Sequence, residues 1–256
     1  MTYQTLLLTK MPQGINITIN RLEHRNAINS LLLKELHQVL DEAEADEACK
    51  IMTLKGQQGF FCSGMDFQEM IHIMNDQAEL VQWTSHYMLL LKRFALSSKI
   101  IISLIDGQVI AGGVGLVAAS DLVLATSKSQ FCLSEALWGL LPANVLPYLI
   151  RRIGFQKAYF LTLSTQKMMA IDAQAIHLID ELSDDLEDTF NKYVNRLSRL
   201  EVQTVKNLKN YFRKLWMINE DTEQHALSEL VRLIQQPQVQ TNIKRFIEQG
   251  KFPWET

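Results

Sequence analysis

Along the first two-thirds of the chain, the spacing of apolar residues switches repeatedly between two periods. Asn16-Ile17-Thr18-Ile19-Asn20 alternates with period two, Leu31 to Ala43 carries apolar residues at helical spacing, and Ile51-Met52-Thr53-Leu54 is again strand-like. Leu6-Leu7-Leu8, cut off by Thr9-Lys10, reads as a first strand. This alternation predicts buried sheet wrapped by helices, an α/β class. From about Leu186 the pattern changes, and Phe190 to Leu200, Val205 to Trp216 and Glu223 to Ile234 form long amphipathic segments with no strand among them. A helical tail therefore follows an α/β core. Pro237 interrupts a polar stretch in that tail, and Lys244 to Glu248 predicts one more helix.

One run is apolar enough to suggest a membrane span, Ile100 to Ala125. Asp106, Asp121 and Gly112-Gly113 argue against that, because an uncompensated Asp at the centre of a spanning helix costs roughly 2.5–3.5 kcal/mol and paired glycines weaken a helix interior. The better parse is a buried strand from Ile100 to Ile105, a glycine turn, a short helix from about Gly113 to Ala119, and a second buried strand from Asp121 to Ala125.

Composition narrows the class of partner. The 256 residues are 47% hydrophobic and 21% charged, which is ordinary for a globular chain and excludes disorder, collagen and coiled coil. A net charge of −3 provides no global field for nucleic acid or acidic lipid, so a small molecule or a protein is the expected partner. Cys49, Cys62 and Cys132 show neither CxxC nor metal spacing, so neither a disulfide framework nor a zinc site is expected, and a reducing cytoplasmic compartment follows. The first residues lack a basic region and a long apolar run, so no targeting segment is expected.

Three features could carry chemistry, each with a plainer reading beside it. The loop Gly59-Phe60-Phe61-Cys62-Ser63-Gly64-Met65-Asp66 follows a strand and opens a helix, where backbone N–H groups can face developing negative charge; it could equally be a simple connection. Gly113, Gly115 and Ala118 satisfy the G-x-G-x-x-G/A spacing of dinucleotide-binding turns, with Glu135 about twenty residues on, so a nicotinamide or flavin oxidoreductase is a rival. The placement opposes it, since Glu135 follows a second strand-like stretch, Gln130 to Leu133, and opens what reads as a helix. Glu135 itself lies among apolar residues, where loss of water would raise its pKa into the range useful for proton transfer; the alternative is an exposed helix-cap glutamate beside Ser134. The histidines are scattered without triad or metal spacing, and only His86, beside Tyr87 on an amphipathic stretch, remains a candidate for chemistry.

The ordered segments Asn20-Arg21…Asn26-Ala27-Ile28-Asn29, Phe61-Cys62-Ser63-Gly64-Met65-Asp66, Asp106-Gly107…Ala111-Gly112-Gly113 and Phe131…Glu135…Gly139 together resemble the crotonase (enoyl-CoA hydratase/isomerase) superfamily along essentially the whole chain. The resemblance implies a crotonase (ClpP-like) fold. It would have a spiral of ββα turns with the active site over residues 1–195 and a C-terminal helical region used for trimerisation over 196–256. It also implies an acyl-thioester substrate and no metal or redox cofactor, because the thioester enolate is stabilised by hydrogen bonds. Carried over by position, the N–H groups of Met65 and Gly112 resemble the two oxyanion-hole donors, and Glu135 resembles the second of the two glutamates of family hydratases. Gly115 stands where the first would be, which implies a poor standard hydratase but leaves one carboxylate able to run an elimination, helped by a neutral donor such as Tyr87 or Asn144. Arg25, Ala27, Ser63, Asp66, Tyr87 and Asn144 are the candidate substrate-binding residues.

A narrower resemblance lies in Phe131 to Leu140, in Pro142 to Gly154 and in the ending Gly250-Lys251-Phe252-Pro253-Trp254-Glu255. These segments resemble the first crotonase-type enzymes of polyketide β-branching cassettes, which dehydrate 3-hydroxy-3-methylglutaryl thioester on an acyl carrier protein to 3-methylglutaconyl thioester. That resemblance implies an acyl carrier protein or acyl-CoA substrate and a homotrimer or dimer of trimers. Gln249 stands where many CoA-using relatives carry a basic residue, and Arg151, Arg152, Lys244 and Arg245 are candidates for docking an acidic carrier, with solvated surface charge as the alternative. A CoA-dependent hydratase or isomerase, and a non-catalytic carrier-binding member of the fold, remain rivals.

Overall fold

The computed structural model describes residues 3–216 and 219–255. Strands β1 (Leu6–Met11) and β2 (Gly14–Ile19) pair antiparallel, and α1 (Ser30–Ala45) follows, its first turn capped by Asn29, whose Oδ1 accepts from the Leu32 N–H at 2.9 Å. Three turns of a spiral then repeat one plan. The first is β3 (Ile51–Lys55), β4 (Phe60–Cys62), α2 (Phe67–Ile73) and α3 (Gln77–Leu96). The second is β5 (Ile100–Ile105), β6 (Gln108–Ile110) and α4 (Gly112–Ala119). The third is β7 (Leu122–Ala125), β8 (Gln130–Cys132), α5 (Leu146–Ile153) and α6 (Phe155–Ser164). Short β9 (Met168–Met169), α7 (Ala170–Ala175) and β10 (Glu181–Leu182) close the spiral, and α8 (Leu186–Leu197), α9 (Val202–Leu215), α10 (Glu220–Ile234) and α11 (Pro237–Gln249) complete the chain.

Each turn contributes one strand to each of two sheets. The first sheet runs β1-β2-β3-β5-β7-β10 and is parallel from β2 onward, while the second runs β4-β6-β8-β9 with only β9 antiparallel. This is the spiral of ββα turns that the resemblance implies. The central strands read as unbroken apolar runs because both faces of the first sheet are covered. Leu186, Phe190, Tyr193, Val194 and Leu197 of α8 pack against Ile51, Ile100, Ile102 and Leu124 on one face, and the main core fills the other.

The Ile100–Ala125 run resolves as strand, helix and strand, but the stretch expected as a glycine turn also holds β6 (Gln108–Ile110), α4 begins one residue earlier than expected, at Gly112, and β7 one residue later, at Leu122. Among the described residues, no helix is long and apolar enough to cross a membrane. Pro237 does not interrupt the tail. It occupies the first turn of α11, where its missing N–H costs no hydrogen bond, so that helix is much longer than Lys244 to Glu248. The expected boundary at residue 195 falls in the last turn of α8, and α10 and α11 fold back onto α3 and α2.

Candidate active site

The first three motifs build one loop system. Arg21 and Asp66 form a buried ion pair at 2.8 Å, and the other oxygen of Asp66 caps α2 by accepting from the Gln68 N–H at 2.9 Å. Buried Asn26 accepts from the Arg21 N–H at 3.0 Å and donates to the Phe60 carbonyl at 2.8 Å. Ile28 and Met65 then form an isolated parallel bridge, in which the Ile28 N–H donates to Gly64 O at 2.7 Å and the Asp66 N–H to Ile28 O at 2.9 Å. A parallel bridge uses the peptide groups flanking one of its residues, so the Met65 N–H points away from Ile28. Gly64 is needed for this path: its φ is +87°, and a Cβ there would lie 2.7 Å from the Ala111 Cβ.

The facing donor comes from the second turn of the spiral. Ala111 is held at φ 51°, ψ −121°, a conformation that costs an L-residue about 1–3 kcal/mol, and it turns the chain sharply into α4. Gly112 is the first residue of that helix, so its N–H has no acceptor within it. Met65 and Gly112 line the same cavity of about 700 Å³, and two backbone donors there, that of Gly112 at the start of α4, suit an oxygen that gains negative charge.

Glu135 lines this cavity from the short helical turn Glu135–Trp138 that follows β8. The residue as a whole is half-buried, but its carboxyl end is enclosed, and Oε2 has no hydrogen-bond partner. Burial raises its pKa from 4.5 to about 7, only partly opposed by a hydrogen bond from its own backbone. The exposed-cap alternative for this glutamate does not hold. Burial also raises two thiols and so lowers their reactivity, taking Cys62 to about 12 and Cys132 above its ordinary value.

Gly115 lies inside α4, and the Tyr87 hydroxyl occupies the place where its Cβ would fall, with Val145 Cγ2 at 3.0 Å. Tyr87 and Trp83, one turn apart on α3, both reach the cavity. The Tyr87 hydroxyl donates to the Gly112 carbonyl at 2.5 Å, and burial holds its pKa well above the ordinary value, so the phenol keeps its proton and directs it at this carbonyl. Asn144 is buried, its Nδ2 donates to the Thr84 carbonyl at 3.0 Å, and its Oδ1 has no partner. Gly113 abuts the Cys62 carbonyl, where a Cβ would come to 2.7 Å, so close packing of a buried helix accounts for this glycine of the G-x-G-x-x-A spacing.

All the sequence-derived site residues, Glu135, Met65, Gly112, Arg25, Ala27, Ser63, Asp66, Tyr87 and Asn144, line this one cavity. Arg25 sits at an exposed position with its guanidinium over the Phe60 ring at 5.6 Å. The Asp66 carboxylate is taken up by Arg21 and the α2 cap, and the Ser63 hydroxyl makes one long bond, 3.4 Å, to the His24 carbonyl. The carrier-docking expectation for Arg151 and Arg152 is corrected. Arg151 donates to Ala118 O at 2.7 Å and stacks on Trp216, while Arg152 donates to Ser120 O at 3.1 Å and pairs with Asp180. Both cap the carboxyl end of α4, where cations are favoured, and are not free to meet a partner. His86 joins no catalytic cluster; its carbonyl meets His37 Nε2 at 3.1 Å.

The sequence reading missed the aromatic wall. Trp138 packs edge-on to Phe67 at 4.7 Å and to Phe246 at 5.2 Å, and Phe252 and Trp254 stack at 4.9 Å beside it, so the end of the chain lines the cavity. The aromatic density of Phe252-Pro253-Trp254 was the available signal. Among the described residues, no group of three His, Cys, Asp or Glu gathers as a metal site.

Comparison with known proteins gives consistent results. Residues 11–256 match the family described as enoyl-CoA hydratase/isomerase. The chain is 35% identical over 254 residues to the bacillaene synthase dehydratase PksH of Bacillus subtilis, covering 99% of this chain and 98% of that protein. It is 29% identical over 178 residues to the 2,3-dehydroadipyl-CoA hydratase of Escherichia coli, covering 69% of this chain and 68% of the other. The crystal structure of the Bacillus subtilis protein superposes with a TM-score of 0.90 at 34% identity, over 98% of this chain and 100% of the other. An enoyl-CoA hydratase from Mycobacterium avium superposes with a TM-score of 0.85 at 26% identity, over 97% and 98%.

Proposed function

Since the chain belongs to the enoyl-CoA hydratase/isomerase family and its site carries Glu135 with no carboxylate at Gly115, we propose that it dehydrates 3-hydroxy-3-methylglutaryl thioester on an acyl carrier protein to 3-methylglutaconyl thioester. It is an enzyme of the hydro-lyase type. The observation that carries the dehydratase reading is the pairing of Glu135, enclosed and unpartnered, with Gly115, whose side-chain space Tyr87 fills. The polyketide setting is supported by the likeness to the bacillaene synthase dehydratase, and an acyl thioester substrate, on a carrier or on CoA, fits that setting.

In the proposed mechanism the Glu135 carboxylate takes the proton from the α-carbon. Charge moves to the thioester oxygen, where the Met65 and Gly112 N–H groups receive it, each contributing about 3–4 kcal/mol in comparable sites. The β-carbon–oxygen bond then breaks, the new double bond forms, and protonated Glu135 returns the same proton to the departing hydroxyl as water. A carboxyl with a pKa of about 7 suits both halves of this exchange. Hydrogen bonds carry the enolate charge, so the reading requires no metal or redox cofactor, and the pantetheine belongs to the substrate. Three free thiols fit a reducing compartment. Phe155, Tyr159 and Phe160 on α6 and Leu208, Tyr211 and Phe212 on α9 are exposed, which supports self-association, and the family resemblance makes a trimer or a dimer of trimers the proposed form.

Intact-mass measurement of a carrier protein loaded with 3-hydroxy-3-methylglutaryl-pantetheine tests the reading. Loss of one water is expected with the unaltered chain, and Glu135→Gln should slow that loss by about 10²–10⁴-fold. Loss of water together with carbon dioxide, or near-normal turnover by Glu135→Gln, would overturn it. Turnover of the CoA thioester alone would transfer the assignment to a CoA-dependent hydratase, as in the Escherichia coli 2,3-dehydroadipyl-CoA hydratase.

A further inference from the structure

Among the described residues, three buried side-chain polar atoms lack a hydrogen-bond partner, and two of them, Glu135 Oε2 and Asn144 Oδ1, belong to residues lining the active cavity. Unpaired buried polar atoms are rare in folded proteins, and two in one cavity point to a ligand that pairs them. The orientation of the Asn144 amide is determined by its neighbour: Nδ2 faces the Thr84 carbonyl at 3.0 Å, which can only accept, so Oδ1 is the open atom. Asn144 therefore offers the substrate an acceptor.

We propose that Asn144 Oδ1 accepts the hydrogen bond of the substrate's β-hydroxyl and so selects β-hydroxy thioesters; this inference rests on the dehydratase reading above. The two open atoms are both acceptors when Glu135 is ionised, and a hydroxyl has one proton to give. Given to Asn144, that proton leaves the Glu135 carboxylate unencumbered to take the α-proton. Given to Glu135, it would occupy the base and lower its basicity. The same arrangement leaves the hydroxyl lone pairs free and more basic, ready for the proton that Glu135 returns. The amide's anchor, the Thr84 carbonyl, lies on α3 one turn before Tyr87, so the helix that fills the Gly115 space also orients Asn144.

The test compares two reactions on the full-length chain. One is dehydration of the 3-hydroxy-3-methylglutaryl carrier. The other is exchange of the α-proton with deuterium on the 3-methylglutaryl carrier, which lacks the hydroxyl. Asn144→Ala should lower dehydration by about 10–100-fold while slowing exchange far less, because only the first reaction uses the bond. Asn144→Leu, which keeps the volume, repeats the comparison should the alanine cavity destabilise the fold. An equal fall in both reactions assigns Asn144 a structural role, and an unchanged dehydration rate removes it from the hydroxyl; either overturns the proposal. No exchange by the unaltered chain is a separate outcome that overturns the Glu135 reading and this one with it.

Discussion

The Tyr87 hydroxyl occupies the space into which a side chain at Gly115 would extend, so a phenol from α3 fills the place where the family resemblance would put a carboxylate. The two residues are therefore coupled. Gly115→Ala should destabilise the chain by about 1–3 kcal/mol through overpacking. In a Tyr87→Phe background the same change should cost about 1 kcal/mol less, since the colliding oxygen is gone. Denaturant unfolding of the two single variants and the double variant measures this, and strict additivity would contradict the geometry.

The raised pKa of Glu135 makes stability fall with pH. The folded state binds the proton up to about pH 7 and the unfolded state only to about 4.5, so between those values folding takes up a proton, and raising the pH disfavours it. The loss, roughly 3 kcal/mol at most for such a shift, is complete above pH 7. Glu135→Gln should flatten that part of the profile and be the more stable chain at pH 8. Thermal unfolding of both proteins from pH 4 to pH 8 checks it.

Activity should show the opposite slope. The base works ionised, so kcat/KM for dehydration should rise with pH up to about 7 and level off above it, with one ionisation on that limb. A rate independent of pH between 5 and 8 would remove Glu135 from the role.

The proposed oxyanion donors, the Met65 and Gly112 N–H groups, belong to the backbone. Gly64→Ala forces a Cβ against Ala111 at a φ of +87°, which shifts the Met65 N–H, and should lower kcat by about 10²–10³-fold, as loss of one donor does. Met65→Leu keeps the peptide and should alter kcat less than about threefold, since nearly isosteric apolar exchange is tolerated. Steady-state kinetics of the pair separates backbone from side chain.

Trp138 ties the end of the chain to the cavity through Phe67, Phe246, Phe252 and Trp254. Trp138→Ala should cost about 3–5 kcal/mol in stability, and calorimetry would show the lowered transition.

Much of the architecture was legible in the chain because it rests on local periodicity. The buried strand Ile100–Ile105 and the α1 pattern appear in their apolar spacing, and the four ordered motifs locate Met65, Gly112 and Glu135. Spacing could not show which side chains meet. Arg151 and Arg152 look like surface charge until α5 carries them beneath the end of α4, and Pro237 looks like a break until its position in the first turn of α11 is known. Whether Glu135 was capped and exposed or enclosed and protonatable depended on how much water the packed chain leaves at its carboxyl, a property of walls drawn from α3, α11 and the chain's end. The α/β alternation and the helical tail could be read from the chain alone, because they reside in short-range pattern, whereas the ββα spiral and the candidate roles of Met65, Gly112 and Glu135 came through the resemblance carried by the four ordered motifs. That Tyr87 fills the Gly115 space and that Asn144 presents an acceptor emerged with the folded chain, because contacts between residues far apart in sequence are set by packing.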